Sequence, residues 1–471
     1  MEKARYYLPI LVYFILVVAF VRVLDFNGLY GQDAHEYYRY SKACLNWIYT
    51  FQSPGDYFWP VWYPTIGAVF AFVFHASVLT VLQLFSIFWV AYSILVVVRW
   101  YRSGTDMLTM LIYALLALGF SPLLLRAGLV AMPDTMSMAT TLLAFYCFKR
   151  YKETGKTVAI YLFALAVALA VMTRYAAAIV LMPPSLMFAY YLLHGKQWKQ
   201  ILICIAIAMV VCFPHFAIRY QAPLAFVQHE WLTSWSLSNF FARDFVTPDG
   251  TQHYKVANIV YAFGGFLHPG FGVLILPLLF FVRKQDFDAT INKVLVSSII
   301  LYSLFLAGIP FQNKRFLLAT LPLIVVTLYP AYQRLLAFIK IKWLAIAGVA
   351  VAHVVLCWFM FNEFYQRNRL EKQLAEVVAS QPEKVLYSFD VDIAIKNYDT
   401  TKVIRNLWLQ QYDTFETGSL VLFNEKTFAR QWQGKNPMLN WQRLKGNYTL
   451  VPVSSEDNGW ELFRIERRKE Q

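Results

Sequence analysis

The first forty-three residues hold MEKARYYLPILVYFILVVAFVRVL, Met1 to Leu24, and, three residues later, GLYGQDAHEYYRYSKA, Gly28 to Ala43. The first stretch carries basic residues at its start and then an apolar run, with no small-residue cleavage site behind it, so it reads as a retained signal-anchor helix. The second sets Asp33, His35, Glu36 and Arg39 among tyrosines in a chain that otherwise spends little on charge. Two carboxylates placed where a first helix leaves a bilayer need a reason, and the rest of the sequence supplies one.

The 471 residues are 59% hydrophobic, 18% aromatic and only 15% charged, whereas a soluble globular chain carries about 25% charge. Apolar stretches of about 20 residues recur, the length that crosses a hydrocarbon core. The expected fold class is therefore a polytopic α-helical membrane protein. The net charge of +14 does not point to nucleic acid, because Lys and Arg collect in short turns between apolar runs, as the positive-inside rule expects. The terminal IERRKEQ reads as a solvated tail. Cys44, Cys147, Cys204, Cys212 and Cys357 show no metal-ligand spacing, and neither a disulfide framework nor a zinc site is expected.

Eleven spans are expected. The first runs over about 8–24, followed by a polar loop to about 63 and by VWYPTIGAVFAFVF, a short re-entrant or interfacial piece. The next six fall near 77–98, 107–124, 134–149, 157–173, 176–193 and 200–217. A second polar segment at 218–256 precedes spans near 257–282, 293–310, 316–333 and 343–361. The N-terminus and the even-numbered loops hold Lys3, Arg5, Arg99, Arg102, Lys149, Arg150, Lys152, Lys156, Lys196, Lys199, Arg283, Lys284, Lys293, Arg334, Lys340 and Lys342. This side is expected to be cytoplasmic, giving an N-in, C-out topology. Residues 1–361 then form a membrane domain and 362–471 a soluble α/β domain on the outer face. In the latter, QPEKVLYSFDVDIAIKNYD, KVIRNLW, GSLVLFNEKTF and WELFRIE alternate β-prone runs with polar segments. It shows no catalytic motif and reads as a packing or acceptor-docking cap.

The ionisable residues that stand out as candidates for chemistry map to one side. They are Asp33, His35, Glu36 and Arg39 after the first span, and Arg126 and Asp134 in SPLLLRAGLVAMPDTM. Arg174 follows in VMTRYAAA, then His229, Glu230 and Arg243 in the second long loop, and Lys314 with Arg315 in FQNKRFLL. Ionisable groups at membrane depth are expensive and line polar cavities or pathways. Cations at the boundary suit a phosphate or pyrophosphate on a lipid carrier, because Arg presents forked donors to phosphate oxygens. A nearby carboxylate suits a general base that takes a proton from an attacking hydroxyl. Together they describe an inverting sugar transfer from a polyprenyl-phosphate donor to a hydroxyl on a lipid, glycan or protein. Each residue also has a structural role open to it: Asp33 and Asp134 could cap helices, Glu36 could be a solvated face residue, and Arg126 and Arg174 could snorkel to headgroups. His35 and His229 fit structural roles as well. It is convergence on one face that favours chemistry.

GQDAHEYY after the first span, R-x5-MPDT before the fourth and KRFLL-x-x-LP after the ninth recur in an order that resembles the GT-C membrane glycosyltransferases. Within them it looks like the dolichyl-phosphate-mannose–protein mannosyltransferase-like branch, which includes bacterial lipid A glycosyltransferases. The resemblance covers roughly residues 1–361. It implies Asp33 as general base, with Glu36 as a further acid of the first loop and Asp134 as the second-loop acid that shapes the site. It also implies Arg126, Arg174, Lys314 and Arg315 as donor-phosphate cations. His35, Tyr37, Arg39, His229 and Glu230 are candidate substrate contacts. Many members carry Asp-Glu adjacent in the first loop, whereas Ala34 follows Asp33 here, so no divalent metal or other cofactor is expected to be required. Tyrosines with Trp47, Trp59 and Trp62 suit an interfacial belt or a wall for sugar stacking. The expected setting is a bacterial inner membrane with the site facing outward. A lipid-saccharide transporter or flippase, a lipid-linked oligosaccharide ligase or polymerase, and a non-catalytic assembly subunit are the rival readings. No internal repeat of the transporter kind is visible.

Overall fold

The computed structural model describes residues 7–101, 107–221, 224–398, 401–455 and 458–469. Lys3, Arg5, Arg102 and the last two residues of IERRKEQ lie outside them. The chain divides into two compact units, one of Met1–Gly28, Tyr37–Phe241 and Asn258–Glu363, the other of Leu29–Glu36, Ala242–Ala257 and Phe364–Gln471.

The first unit is helical. Its elements are α1 (Tyr7–Val23), the part of α2 (Gly31–Thr50) from Tyr37 on, α3 (Trp62–Phe74), α4 (Val78–Trp100), α5 (Met107–Ala114), α6 (Pro122–Leu129), α7 (Asp134–Thr154), α8 (Thr157–Thr173), α9 (Ala177–His194) and α10 (Trp198–Ile218). After the short α11 (Glu230–Thr233) come α12 (Asn258–Ala262), α13 (Gly264–Leu267), α14 (Pro269–Leu279), α15 (Thr290–Gly308), α16 (Leu321–Phe338) and the start of α17 (Lys342–Ala379). Among the described residues six helices are long and apolar enough to cross a membrane, or seven if the bent pair of α5 with its π turn and α6 counts as one. Three more apolar helices are shorter, α1, α3 and α8. The sequence reading counted eleven.

Four expectations are corrected. The polar loop before residue 63 is largely α2, whose buried Tyr37, Ser41 and Cys44 recur at helical spacing under a polar face. The span expected at 107–124 breaks after a π turn over Leu115–Gly119 and restarts at Pro122, whose missing N–H suits a first helical position, with a 69° bend. The span expected at 257–282 is three pieces, because Gly264, Gly265, Pro269 and Gly270 interrupt it. The last span continues past 361 as a 38-residue helix, about 57 Å long.

Broken helices leave backbone carbonyls that lipid cannot satisfy, and side chains close them. Pro330 offers no N–H to the Val326 carbonyl, and Tyr101 donates its hydroxyl there at 2.8 Å. Tyr13 does the same for Gly119 O at 2.9 Å, where the π turn ends. Buried Gln83 donates to Phe26 O at 2.9 Å and Leu129 O at 3.3 Å, tying the exit of α1 to the end of α6. Ala131 N adds a bond to Gly28 O at 2.8 Å. The turn between α6 and α7 is thereby held rigidly.

In the second unit β1 (Asp244–Thr247) and β2 (Gly250–His253) form a hairpin. The strands β3 (Val385–Ser388), β4 (Val403–Asn406), β5 (Leu420–Phe423), β6 (Tyr448–Ser455) and β7 (Glu461–Arg468) form one sheet in the order β4-β3-β5-β7-β6. The β3, β4 and β5 strands are parallel, and β7 and β6 add antiparallel neighbours. Helices α18 (Asp392–Tyr398), α19 (Glu425–Gln431) and α20 (Asn436–Asn447) complete it around buried Leu386, Val421, Trp441 and Ile465. The segment Leu29–Glu36 belongs to this unit through Glu371, which accepts from Gly31 N at 3.2 Å and meets His35 Nε2 at 3.1 Å. Asn368 donates to Leu29 O at 2.8 Å, and Asn397 to His35 O at 3.0 Å.

Two substitutions test this packing. Gly308 lets the loop after α11 lie on the end of α15: its carbonyl accepts from Ser236 N and Asn239 Nδ2, and a Cβ there would land on the Trp235 ring. Gly308→Ala is expected to cost about 1–3 kcal/mol of overpacking, seen as a lower melting temperature of the purified chain. Asp392 is buried at the start of α18. Burial pushes its carboxyl up to about 6, the Asn406 amide and its own backbone pull it down, and Asp390 and Glu36 add to the rise. A raised carboxyl favours folding most below pH ~4 and loses that benefit as pH climbs through ~6. Asp392→Asn is therefore expected to match the wild type near pH ~4 and to exceed it near pH ~7.5 by on the order of 2 kcal/mol, read from thermal unfolding at both pH values.

Candidate functional site

Asp134 opens α7, and its carboxylate lies at the positive end of that helix. Arg174 caps α8 in extended backbone, held by its N–H to Ala170 O at 2.9 Å. The two side chains form an ion pair, Asp134 2% exposed and Arg174 19%. A third charged group joins them. Asn313 accepts from Arg315 N at 3.2 Å and starts the 3-10 turn Lys314–Ala319. Tyr302 donates to Phe316 O at 3.1 Å and Tyr261 to Asn313 O at 2.7 Å, fixing that turn's path. The guanidinium of Arg174 then stands 5.2 Å from the centre of the Phe316 ring and that of Arg315 5.8 Å from it. Asp134, Arg174, Arg315, Tyr302 and Phe316 line one small cavity.

Arg174, Tyr302 and Phe316 also form the head of a larger groove of about 250 Å³. Its walls are aromatic: Tyr37 from α2, Phe58 and Trp59 from the segment before α3, Tyr175, Phe226 and Trp231. Tyr175 stacks on Phe226 with ring centres 3.9 Å apart, and Trp231 on Phe311 at 4.5 Å. His229 accepts from Trp231 N at 3.3 Å and packs against Phe58 at 5.2 Å. Buried Arg219 pins the segment carrying Phe58, through Asp56 at 3.1 Å and Phe58 O at 2.7 Å. The arrangement combines cations at one end with an apolar trough, which suits an amphiphile whose anionic head meets the guanidinium groups and whose body lies along the rings.

Of the residues singled out in sequence, Asp134, Arg174, Arg315, Tyr37 and His229 come together here. Arg126 is half-buried on α6 and Arg39 half-buried on α2, and neither is among the lining residues. Lys314 is exposed at the start of the 3-10 turn, and Glu230 opens α11 between His229 and Trp231. Asp33 and Glu36 are half-buried in the first turns of α2, within the second unit. Arg243, in the same unit, is exposed just before β1. His35 departs from the expected substrate contact: it is wholly buried, with Nε2 on Glu371 and Nδ1 3.4 Å from the Asn397 amide. Arg367 completes that network, reaching Glu371 at 2.7 Å and Asp390 at 2.9 Å. Among the described residues no three His, Cys, Asp or Glu side chains gather as a metal-holding group.

Sequence reasoning missed Tyr302, Arg219 and Trp231. Tyr302 sits inside an apolar run and carries no local signal. Arg219 follows the last turn of α10 and could have been suspected as a cation at a helix end. Trp231 belongs to QHEWLTSW, whose aromatics in a polar loop were a usable sign.

The family model for Alg9-like mannosyltransferases matches residues 13–396. Comparison with curated proteins returns no match. Among solved structures the fold is similar to ArnT from Cupriavidus metallidurans in the apo state, with 13% identity, a TM-score of 0.57, and 95% of this chain and 97% of that one covered. It is similar as well to the same protein bound to undecaprenyl phosphate, with 13% identity, a TM-score of 0.58 and the same coverage. The resemblance to GT-C enzymes thus holds, and the family matched within that class is the Alg9-like one. Spanning helices, a charged head at the end of an aromatic groove and a family match over most of the chain agree: this protein belongs to the Alg9-like mannosyltransferase family and is a membrane-embedded glycosyltransferase of the GT-C type.

Proposed function

We propose that the enzyme transfers a sugar, with inversion, from a polyprenyl-phosphate donor to a hydroxyl acceptor at the outer face of the membrane. The observation that carries this reading is that Arg174, which shares a small cavity with Arg315, also lines the aromatic groove. Guanidinium groups match a phosphate in fork geometry, and the rings suit an isoprenoid chain. The similarly folded ArnT is known in complex with undecaprenyl phosphate. Asp134 acts here as an orienting group, holding Arg174 in place from a buried position. Arg126 and Lys314 belong to the same reading as cations that attract the donor.

Asp33 serves as the base, with Glu36 as the second acid of that turn. Support comes from the GQDAHEYY motif that carries it and from its place in the first turn of α2. The acceptor oxygen attacks the anomeric carbon and its proton passes to the Asp33 carboxylate. The bond from that carbon to the donor phosphate breaks, and the phosphate leaves with the electron pair. In this reading the basic turns face the cytoplasm and the second unit faces outward. The setting is a bacterial inner membrane.

Membranes supplied with a panel of radiolabelled polyprenyl-phosphate sugars test the reaction. One donor is expected to be used, and Asp33→Asn is expected to lower its turnover by about 10²–10⁴-fold at unchanged protein level. Survival of transfer in that variant would move the base to Glu36 or Asp134. For the buried pair, Arg174→Ala is expected to cost about 3–5 kcal/mol of stability, since it strands the Asp134 charge. Adding Asp134→Asn is expected to recover most of that stability while leaving transfer abolished, a split that thermal unfolding and the transfer assay read separately.

A further inference from the structure

A second charged pocket, of about 460 Å³, lies among the ends of α1, α4 and α7 and plays no part in the reaction above. Three cations line it: Arg99 from the last turn of α4, and Lys149 and Arg150 near the end of α7. One carboxylate, Glu153, balances them, 2.5 Å from Lys149 and 3.6 Å from Arg150. The four charges therefore sum to +2. Arg99 donates to the Tyr7 hydroxyl at 2.9 Å, and Lys149 lies 5.8 Å from the centre of the Trp100 ring. Tyr146 closes the aromatic side.

Its position in the membrane follows from α4, a helix long and apolar enough to cross it, whose last turn carries Arg99. Along α7, Lys149 to Glu153 stand 15 to 19 residues beyond Asp134, which lines the donor-side cavity. At about 1.5 Å per residue that is about 22–28 Å, close to the ~30 Å of a hydrocarbon core. The end of a spanning helix thus places this pocket at a membrane boundary, and the length of α7 separates it from that cavity. Interfacial depth, aromatic walls and a surplus of guanidinium and ammonium groups are what an anionic headgroup needs.

We propose that this pocket binds the phosphate headgroup of an anionic phospholipid from the leaflet opposite the transfer site. The cations meet the phosphate oxygens, Glu153 spaces Lys149 and Arg150, and the rings face the upper part of the chains. The shared chemistry is a phosphate, and the lipid is the source to which the aromatic lining and depth point.

The test is native mass spectrometry of the full chain in detergent with added phosphatidylglycerol or phosphatidylcholine. It reads lipid retention without reference to turnover, so its failure is separable from failure of the proposed reaction. Preferential retention of phosphatidylglycerol is expected, with about fivefold loss for each cation removed and about 100-fold for Arg99→Gln/Lys149→Gln/Arg150→Gln. Lys156→Gln, on the same face but outside the pocket, should leave retention unchanged. Glu153→Gln raises the local charge and should tighten retention by about fivefold. That variant keeps the proposal testable if the triple one does not fold. Equal retention of the two lipids would overturn the proposal, as would a loss in Lys156→Gln equal to that in Arg99→Gln. So would unchanged or weaker binding in Glu153→Gln, or displacement of the lipid by millimolar inorganic phosphate.

Discussion

A carboxylate and a guanidinium withdrawn from water beside a hydrocarbon core set the terms for the helical unit. Alone, either of Asp134 and Arg174 would be costly there; together they hold each other only while both backbones are fixed. Much of the neighbouring structure provides that fixity. Asp134 has its helix dipole, and the turn before it is bound to Gly28 and sealed by Gln83. Arg174 has the cap of α8, and Phe316 lies under both cations because Tyr302, Tyr261 and Asn313 steer its turn. A fixed cation costs no reorganisation when a charge arrives beside it, the condition under which electrostatic stabilisation is most effective.

The same demand explains where the backbone is irregular. In lipid an unbonded carbonyl costs several kcal/mol, so each break must bring its own donor. The hydroxyls of Tyr13 and Tyr101 and the amide of Gln83 are those donors. Tyrosine suits the task because its body is apolar and its single polar tip can be spent on one carbonyl. The high tyrosine content of the chain has this second use beside any interfacial belt.

What could be read in the sequence follows from which signals are local. Spans such as α4 and α10 announce themselves by unbroken apolar length. The α2 helix does not, since GQDAHEYYRYSKA is polar overall and its buried spacing shows only when taken three and four residues apart. Gly264, Gly265 and Pro269 marked the break after α12, but the surrounding apolar run masked them. In the site, Asp134, Arg174 and Arg315 stood out because charge is rare in apolar surroundings. Tyr302 and Phe316 were invisible as site residues, because an aromatic side chain inside an apolar run looks the same whether it faces lipid, core or groove. His35 shows the converse: a titratable residue in a suggestive motif can be spent on architecture.

The second unit is assembled from pieces made far apart in time. Leu29–Glu36 is translated well ahead of its partners, since Glu371 and Asn397 that bind His35 lie 336 and 362 residues later. At about 5–20 residues per second the early segment waits roughly 20 to 70 s for its partners. The hairpin at 244–253 waits too, for Trp408 and Gln431, which bind the carbonyls of Pro248 and Asp249. The turn that carries Asp33 is therefore translated long before the residues that complete its fold. A nascent chain stalled before residue 364 would have its spanning helices and no finished first turn of α2.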